Sequence, residues 1–140
     1  MRAVLDTDVM VASFGSANGA SRRLLLAALG GDILLLLSTP LLLEYEAVLT
    51  RPAMLAMANL HAEEVLAVRD ELAGLCAPVV FDYRWRPQAR DPDDDLVLET
   101  AINGAADVVA SFNVTDMQAG ARRFGIVVER PGALVKRIKG

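Results

Sequence analysis

The chain has 140 residues, of which 54% are hydrophobic, and a formal net charge of -4 at pH 7. This length and apolar content predict one compact domain over residues 1–140 with a sizeable core. The single cysteine, Cys76, excludes an intramolecular disulfide. No apolar run approaches the roughly 20 residues that span a bilayer, so we expect a cytoplasmic protein with no membrane contact. The acidic balance argues against tight duplex binding over the whole surface, but it leaves a nuclease open because acidic metal sites contribute such charge.

Strand and helix signals alternate along the chain without a linker or repeat. Apolar runs predict strands over residues 3–5, 33–37, 79–81, 107–110 and 126–128. Helices are predicted over 21–29, with Ser21 as the N-cap, over 39–50, with Thr39 before an N1 Pro40, over 62–75, and from within 91–95. Unbroken apolar strands separated by helices indicate an α/β fold with a parallel sheet covered on both faces.

Polar side chains follow several of these strands. Asp6 follows the first strand, Ser38 and Thr39 follow the second, and the segment from Ser111 through Asn113 to Asp116 follows the fourth. Because ligands of such sheets bind beyond the carboxyl ends of the strands, we expect a site at this edge.

Further acids are predicted on helices near the same edge. Glu44 lies one turn into the helix opened by Pro40, whereas Asp95 and Glu99 are four residues apart and share a helix face. Carboxylates that converge on one pocket repel each other unless a cation is present, and an all-oxygen ligand set suits Mg²⁺ or Mn²⁺ rather than zinc. His61 is the only histidine.

The motifs of the chain resemble those of PIN-domain ribonucleases, most nearly the VapC-like toxins of bacterial toxin-antitoxin pairs. The resemblance rests on residues 4–9, residues 38–40 with Glu44, residues 90–95 and residues 106–116, in that order. It implies a central parallel sheet of about five strands with the first strand central. It also implies a catalytic set of acids that binds one or two Mg²⁺ or Mn²⁺ ions: Asp6, Glu44, Asp95 and Asp116. RNA would be the substrate, a cognate antitoxin the partner, and a homodimer the expected assembly.

Accessory positions include two departures from the family pattern. Asp8 stands where the family usually has asparagine, and Ser111 stands where it usually has threonine. Asp8 adds a negative charge near the metal, while Ser111 keeps the hydroxyl, so the resemblance implies a complete metal set. Asn113 is a further accessory residue and is also suited to a turn. Glu99 either lines the pocket or is an ordinary solvated helix residue.

A segment of arginines and aromatics precedes the acid run. Residues 83–90 include Arg84, Trp85, Arg86 and Arg90. Arginine forks bind phosphates and aromatic rings stack on unpaired bases, so this segment is a candidate for RNA or antitoxin binding. The alternatives are that Trp85 packs on the core and that the arginines neutralise neighbouring acids. The pairs at 22–23 and 122–123 are second candidates.

Two other functions compete with the nuclease. Residues 5–9 also fit the opening motif of haloacid-dehalogenase-like phosphatases, in which Asp6 would be the nucleophile and Asp8 the acid-base. Those enzymes need a lysine between their second motif and the final acids, and the only lysines here are Lys136 and Lys139. The third possibility is a PIN fold kept only as a binding module, which missing acids would favour, and none is missing.

Overall fold

A parallel sheet of five strands forms the centre of the structure. The structure is a computed structural model that describes residues 1–15, 19–81 and 92–139, except for the side chains of 92–95 and 139. The strand order is β3-β2-β1-β4-β5 and every pairing is parallel. The first strand is therefore central, as the resemblance implies. The strands are β1 (Arg2–Leu5), β2 (Leu34–Ser38), β3 (Ala77–Val79), β4 (Val108–Ala110) and β5 (Val127–Glu129).

Helices flank the sheet, and the described residues include eight of them. Helix α5 has the predicted bounds, whereas α1, α4, α7 and α8 were not predicted from the sequence. The eight are α1 (Thr7–Gly15), α2 (Ala20–Leu29), α3 (Thr39–Leu49), α4 (Pro52–Ala58), α5 (Ala62–Leu75), α6 (Pro92–Asn103), α7 (Val114–Ala121) and α8 (Pro131–Lys139), with a 3₁₀ turn at Arg122–Phe124. No helix in the described ranges is long and apolar enough to cross a membrane.

Two predicted helix caps are wrong by one or two positions. Gly19, in an extended conformation, precedes α2, and the predicted cap Ser21 is buried inside that helix. The hydroxyl of Ser38, rather than that of Thr39, caps α3 by accepting a hydrogen bond from the N–H of Leu41 at 3.2 Å. Both helices begin earlier than predicted because Gly19, two residues before Ser21, and Ser38, one residue before Thr39, have the extended backbone of an N-cap.

The third strand begins two residues earlier than predicted. It covers Ala77–Val79 and includes Pro78, while Val80, predicted to lie in the strand, is 87% exposed. Proline lacks the N–H that a central strand needs. It is tolerated because β3 lies at the edge of the sheet, paired only with β2.

The sheet reverses its strand order at β1. The chain passes from β1 to β2 on one side, and β4 later pairs with the other side of β1. A crevice outside the carboxyl ends of β1 and β4 is the expected ligand position in this topology. Asp6 and Ser111, which follow these two strands, therefore lie at that position.

Candidate metal centre

Asp6 is a buried carboxylate at the carboxyl end of the central strand, with a residue exposure of 6%. Its N–H donates to the carbonyl of Ala110 at 2.9 Å, which extends the pairing of β1 with β4. Its Oδ1 accepts the N–H of Thr7 at 2.8 Å, and its Oδ2 accepts the hydroxyl of Ser111 at 2.6 Å. These bonds fix the carboxylate from both sides of the crevice.

Ser111 orients Asp6 from the end of β4. Its buried hydroxyl accepts the N–H of Asn113 at 2.9 Å and donates to Asp6, and its own N–H donates to the carbonyl of Glu129 at 3.0 Å. Asn113 is the N-cap residue of α7 through its backbone, without a side-chain cap bond. The end of β4, the start of α7 and the end of β5 are thus joined at the carboxylate.

The pKa of Asp6 is raised from its ordinary value of 3.8 to about 6. Burial is the main cause, and the nearby negative charge of Asp8 adds to it, while the hydrogen bonds from Ser111 and Thr7 act in the opposite direction. The charged form of Asp6 is therefore disfavoured unless a positive charge approaches it.

Thr7 connects Asp6 to Glu44, and the sequence analysis did not single it out. Its N–H donates to Asp6, and its hydroxyl donates to Oε2 of Glu44, on α3, at 2.6 Å. The residue lies between two carboxylates and satisfies one oxygen of each. Its position directly after a predicted metal ligand, with a hydroxyl, was the signal available in the sequence.

Tyr45 anchors α3 against the end of β1. Its buried hydroxyl donates to the carbonyl of Leu5, the residue before Asp6. Burial, followed by the charges of Asp6 and Glu44, raises the pKa of Tyr45 well above its ordinary value. The phenol therefore stays protonated and remains a donor, which fixes the helix that carries Glu44.

Four other acids of the predicted site lie on helices. Asp8 is in the first turn of α1, and its Oδ2 accepts the N–H of Phe112 at 3.3 Å. Asp116 is half-buried in the first turn of α7, and Glu99 is half-buried on α6. Asp95 belongs to the first turn of α6 by its backbone, and its side chain lies outside the described part.

A chain of hydroxyl groups joins the helices of Glu44 and Asp95. Thr100, on α6, donates its hydroxyl to the carbonyl of Leu96 at 2.9 Å, so the Ser38 hydroxyl, 2.8 Å away, donates to Thr100. Ser38 in turn accepts the N–H of Leu41 on α3. Both hydroxyls are buried, so the chain runs in one direction from α3 to α6 and fixes the two helices relative to each other.

The residues that the structure brings together suit a hard divalent cation. Hydrogen bonds connect Asp6 directly to Ser111 and, through Thr7, to Glu44, and every side-chain donor atom is oxygen. Burial and the nearby charge of Asp8 raise the pKa of Asp6, so a positive charge beside it would stabilise its ionised form. Among the described side chains, no three acids, histidines or cysteines lie close enough to share a metal ion. The grouping of Asp6, Glu44, Asp95 and Asp116 as one ligand set thus stays a prediction.

The predicted nucleic-acid segment is outside the described residues. Arg84, Trp85, Arg86 and Arg90 all belong to it, so their roles stay predictions. Among the arginine pairs named as second candidates, Arg22, on α2, donates through Nε to the carbonyl of Ser13, on α1.

The fold is an α/β fold with a parallel sheet and a central first strand, and a buried aspartate lies where the strand order reverses. Proteins of this class bind ligands at the carboxyl edge of the sheet. The family model of the PIN domain matches residues 2–115, and the chain therefore belongs to the PIN domain family. PIN domains are typically nucleases that use divalent metal ions. The match ends one residue before Asp116. No curated protein matches the chain.

Proposed function

We propose that the protein is a Mg²⁺- or Mn²⁺-dependent endoribonuclease that hydrolyses phosphodiester bonds of single-stranded or structured RNA. The observation that carries the proposal is the oriented, buried carboxylate of Asp6 at the carboxyl edge of a PIN-domain sheet. Its raised pKa disfavours an unaccompanied negative charge, and a divalent cation removes that cost.

In this proposal, Asp6, Glu44, Asp95 and Asp116 would hold one or two ions. When bound, such an ion makes water a better nucleophile at neutral pH and neutralises charge that develops on the phosphodiester. Ser111 and Thr7 hold Asp6 in one orientation, and Thr7 and Tyr45 keep Glu44 on the same side. Because these positions are set by backbone and buried hydroxyl groups, little reorganisation accompanies ligand binding.

The phosphatase alternative gains no support from the site. A phosphatase of that type needs a lysine between its second motif and its final acids, and the sequence has none there. Its only lysines, Lys136 and Lys139, come after the final predicted acids in the sequence. A water nucleophile fits this arrangement better than a phosphoaspartate.

The test compares two substrates in the presence of Mn²⁺: an end-labelled RNA of mixed sequence and a chromogenic phosphomonoester. We expect internal cleavage of the RNA, no turnover of the monoester, and loss of cleavage by at least about 100-fold in Asp6→Asn and in Asp95→Asn. The matched control is Asp32→Asn, because Asp32 is an exposed aspartate before the amino end of β2, at the opposite edge of the sheet from the site, and its replacement should leave the rate unchanged. Turnover of the monoester alone, lost in Asp6→Asn, would replace the nuclease by the phosphatase.

We further propose that the chain is the toxin of a toxin-antitoxin pair and forms a homodimer. The support for the toxin role is the resemblance of its motifs to VapC-like proteins. The support for the dimer is apolar exposure on α3 and α4, where Leu43 is 58% exposed and Met57 is 65% exposed. A short neighbouring reading frame that encodes a DNA-binding protein would identify the antitoxin.

A further inference from the structure

A groove beside the candidate metal centre is formed by α1, α2, α8 and the ends of β4 and β5. Its volume is about 800 Å³, within the range of sites that hold small ligands. Phe112, the residue after Ser111, lines it, and so do Glu129 and Arg130 at the end of β5. Since Ser111 contacts both Asp6 and the carbonyl of Glu129, the groove begins one residue away from the buried carboxylate.

The charge of the groove is positive in balance. Arg130, Lys136 and Arg137 line it, and Glu129 is the only acid among its lining residues in the described ranges. Arg137 pairs with Oε1 of Glu129, which neutralises both. The side chains of Arg130 and Lys136 are exposed and form no ion pair with any described residue, so no described acid compensates these two positive charges at the groove.

An exposed aromatic ring accompanies these cations. Phe112 is 41% exposed although it lies between the buried Ser111 and the half-buried Asn113. Its N–H donates to Asp8, on α1, so the backbone that presents the ring is fixed from the metal-site side. An aromatic ring on a fixed backbone, next to basic side chains such as Arg130 and Lys136, is a combination that proteins use to bind single-stranded RNA. A base stacks on the ring, and the phosphates lie near the positive charges.

We propose that this groove binds a nucleotide of single-stranded RNA next to the bond that is cut, with an unpaired base stacked on Phe112 and the backbone phosphates held by Arg130 and Lys136. The proposal rests on the proposed ribonuclease function, and it further specifies the path of the RNA strand across the protein. A base that stacks on Phe112 must be unpaired, so the groove selects single-stranded over paired RNA.

Binding is measured by fluorescence anisotropy with a labelled ten-nucleotide RNA of mixed sequence, in EDTA so that no cleavage occurs, over a series of salt concentrations. We expect Phe112→Leu to weaken binding about 10-fold and Phe112→Tyr to restore it, because only the ring stacks. The Arg130→Ala/Lys136→Ala double variant should weaken binding and lower the slope of log K against log salt by about 1.4, or about 0.7 for each phosphate contact. The control is Arg51→Ala, an exposed arginine at the start of α4, which should change neither quantity.

A ten-base-pair RNA duplex and a polyglutamate peptide serve as competing probes. The affinity for the duplex should be the same in wild type and Phe112→Leu. The affinity for the peptide should be the same in wild type and the double variant. Equal RNA affinity and salt slope in wild type and both groove variants, while wild type still cleaves RNA, overturns the groove and leaves the ribonuclease intact. Loss of peptide binding alone in the double variant assigns the groove to an acidic protein segment and also overturns it. Absence of both binding and cleavage in wild type removes the proposed function itself.

Discussion

Asp6 places a carboxylate in the interior next to a second one, Asp8, and the free energy of that arrangement depends on pH. The folded-state pKa of about 6 lies above the ordinary value of 3.8, so the folded chain binds this proton more tightly than the unfolded chain does. The contribution of Asp6 to stability is therefore fully present below about pH 4 and is lost as the pH rises through about 6. In metal-free protein the difference is on the order of 3 kcal/mol.

The first prediction follows from this sign. In metal-free protein, Asp6→Asn should raise the free energy of unfolding at pH 8 by about 2 to 3 kcal/mol and should change it little at pH 4, where the carboxyl is already neutral. Urea unfolding at both pH values, in EDTA, measures the difference. An effect of equal size at pH 4 and pH 8 would show that it arises from altered packing or hydrogen bonds rather than from the buried charge.

At the residue scale, the sequence predicted residues of the candidate site but not how they are connected. Asp6, Glu44 and Ser111 were identified from their positions after strands and within motifs, and the structure joins them. Thr7 and Tyr45 were missed because their functional contacts depend on neighbours 37 and 40 residues away in sequence, Glu44 and Leu5. Such contacts are fixed by how α3 packs on β1, which no local pattern contains.

At the scale of elements, the relation between α3 and α6 decides whether Glu44 and Asp95 face a common point. The hydroxyls of Ser38 and Thr100 connect these helices inside the core. Gly104 allows a close approach at the other end of α6, since a Cβ there would lie 2.8 Å from Cγ2 of Val79 and 3.0 Å from Cδ1 of Leu36. Helix α6 is therefore held against β2 and β3 at one end and against α3 nearer the site.

The second prediction tests the hydroxyl chain. Thr100→Val keeps the shape of the side chain but leaves the buried Ser38 donor without an acceptor, which should cost about 1 to 3 kcal/mol of unfolding free energy. Once Ser38→Ala has removed that donor, Thr100→Val should cost at least 0.5 kcal/mol less, by a double-mutant cycle (about 0.5 to 3 kcal/mol for coupled pairs). Urea unfolding of the four proteins measures both quantities.

The control for this cycle is Thr50→Val. The Thr50 hydroxyl also donates to the carbonyl four residues earlier, that of Glu46, at 2.7 Å, but it is only half-buried and accepts from no other hydroxyl in the described part. Its loss should therefore cost less than the loss of Thr100 and should not couple to Ser38→Ala. Additive costs for Ser38 and Thr100 would mean that the two hydroxyls stabilise their own helices independently.

Elements with a long periodic or unbroken apolar pattern were predicted well, and short helices were not. Helix α5 matched at both ends, and the five strands were found within two residues, because burial on both faces of a sheet imposes an apolar run. Helix α4 has seven residues and α7 has eight, too short for a period to show. Helix α1 was missed because its first residues, from Thr7, were interpreted only as part of the acidic motif.

At the scale of the whole molecule, the proposed metal site would couple folding to metal binding. Bound Mg²⁺ or Mn²⁺ should stabilise the folded chain by about 2.7 kcal/mol when the free ion is at about 100 times its dissociation constant. For a chain of this size the melting temperature should rise by roughly 5 to 10 °C. Thermal unfolding with and without the ion, at matched ionic strength, is the third prediction.

Two variants make this measurement specific. Asp6→Asn should reduce the metal-dependent rise strongly, whereas Asp32→Asn, at an exposed turn, should keep it. A rise that is equal in wild type and Asp6→Asn would place the ion elsewhere on the protein. No rise in wild type at tens of millimolar would count against a metal site in this chain.

The hydrogen bond between Ser111 and Asp6 joins residues that are 105 positions apart, and β1 has its partner β4 equally late in the chain. During translation, the ribosome makes the central strand first and its second neighbour only after roughly 5 to 20 seconds of further synthesis. Until then, β1 lacks its partner β4, and the carboxylate of Asp6 lacks the hydrogen bond from Ser111 that orients it. In the proposed ribonuclease, activity can therefore arise only after β4 and Ser111 have been synthesised, because Asp6 is not oriented before then.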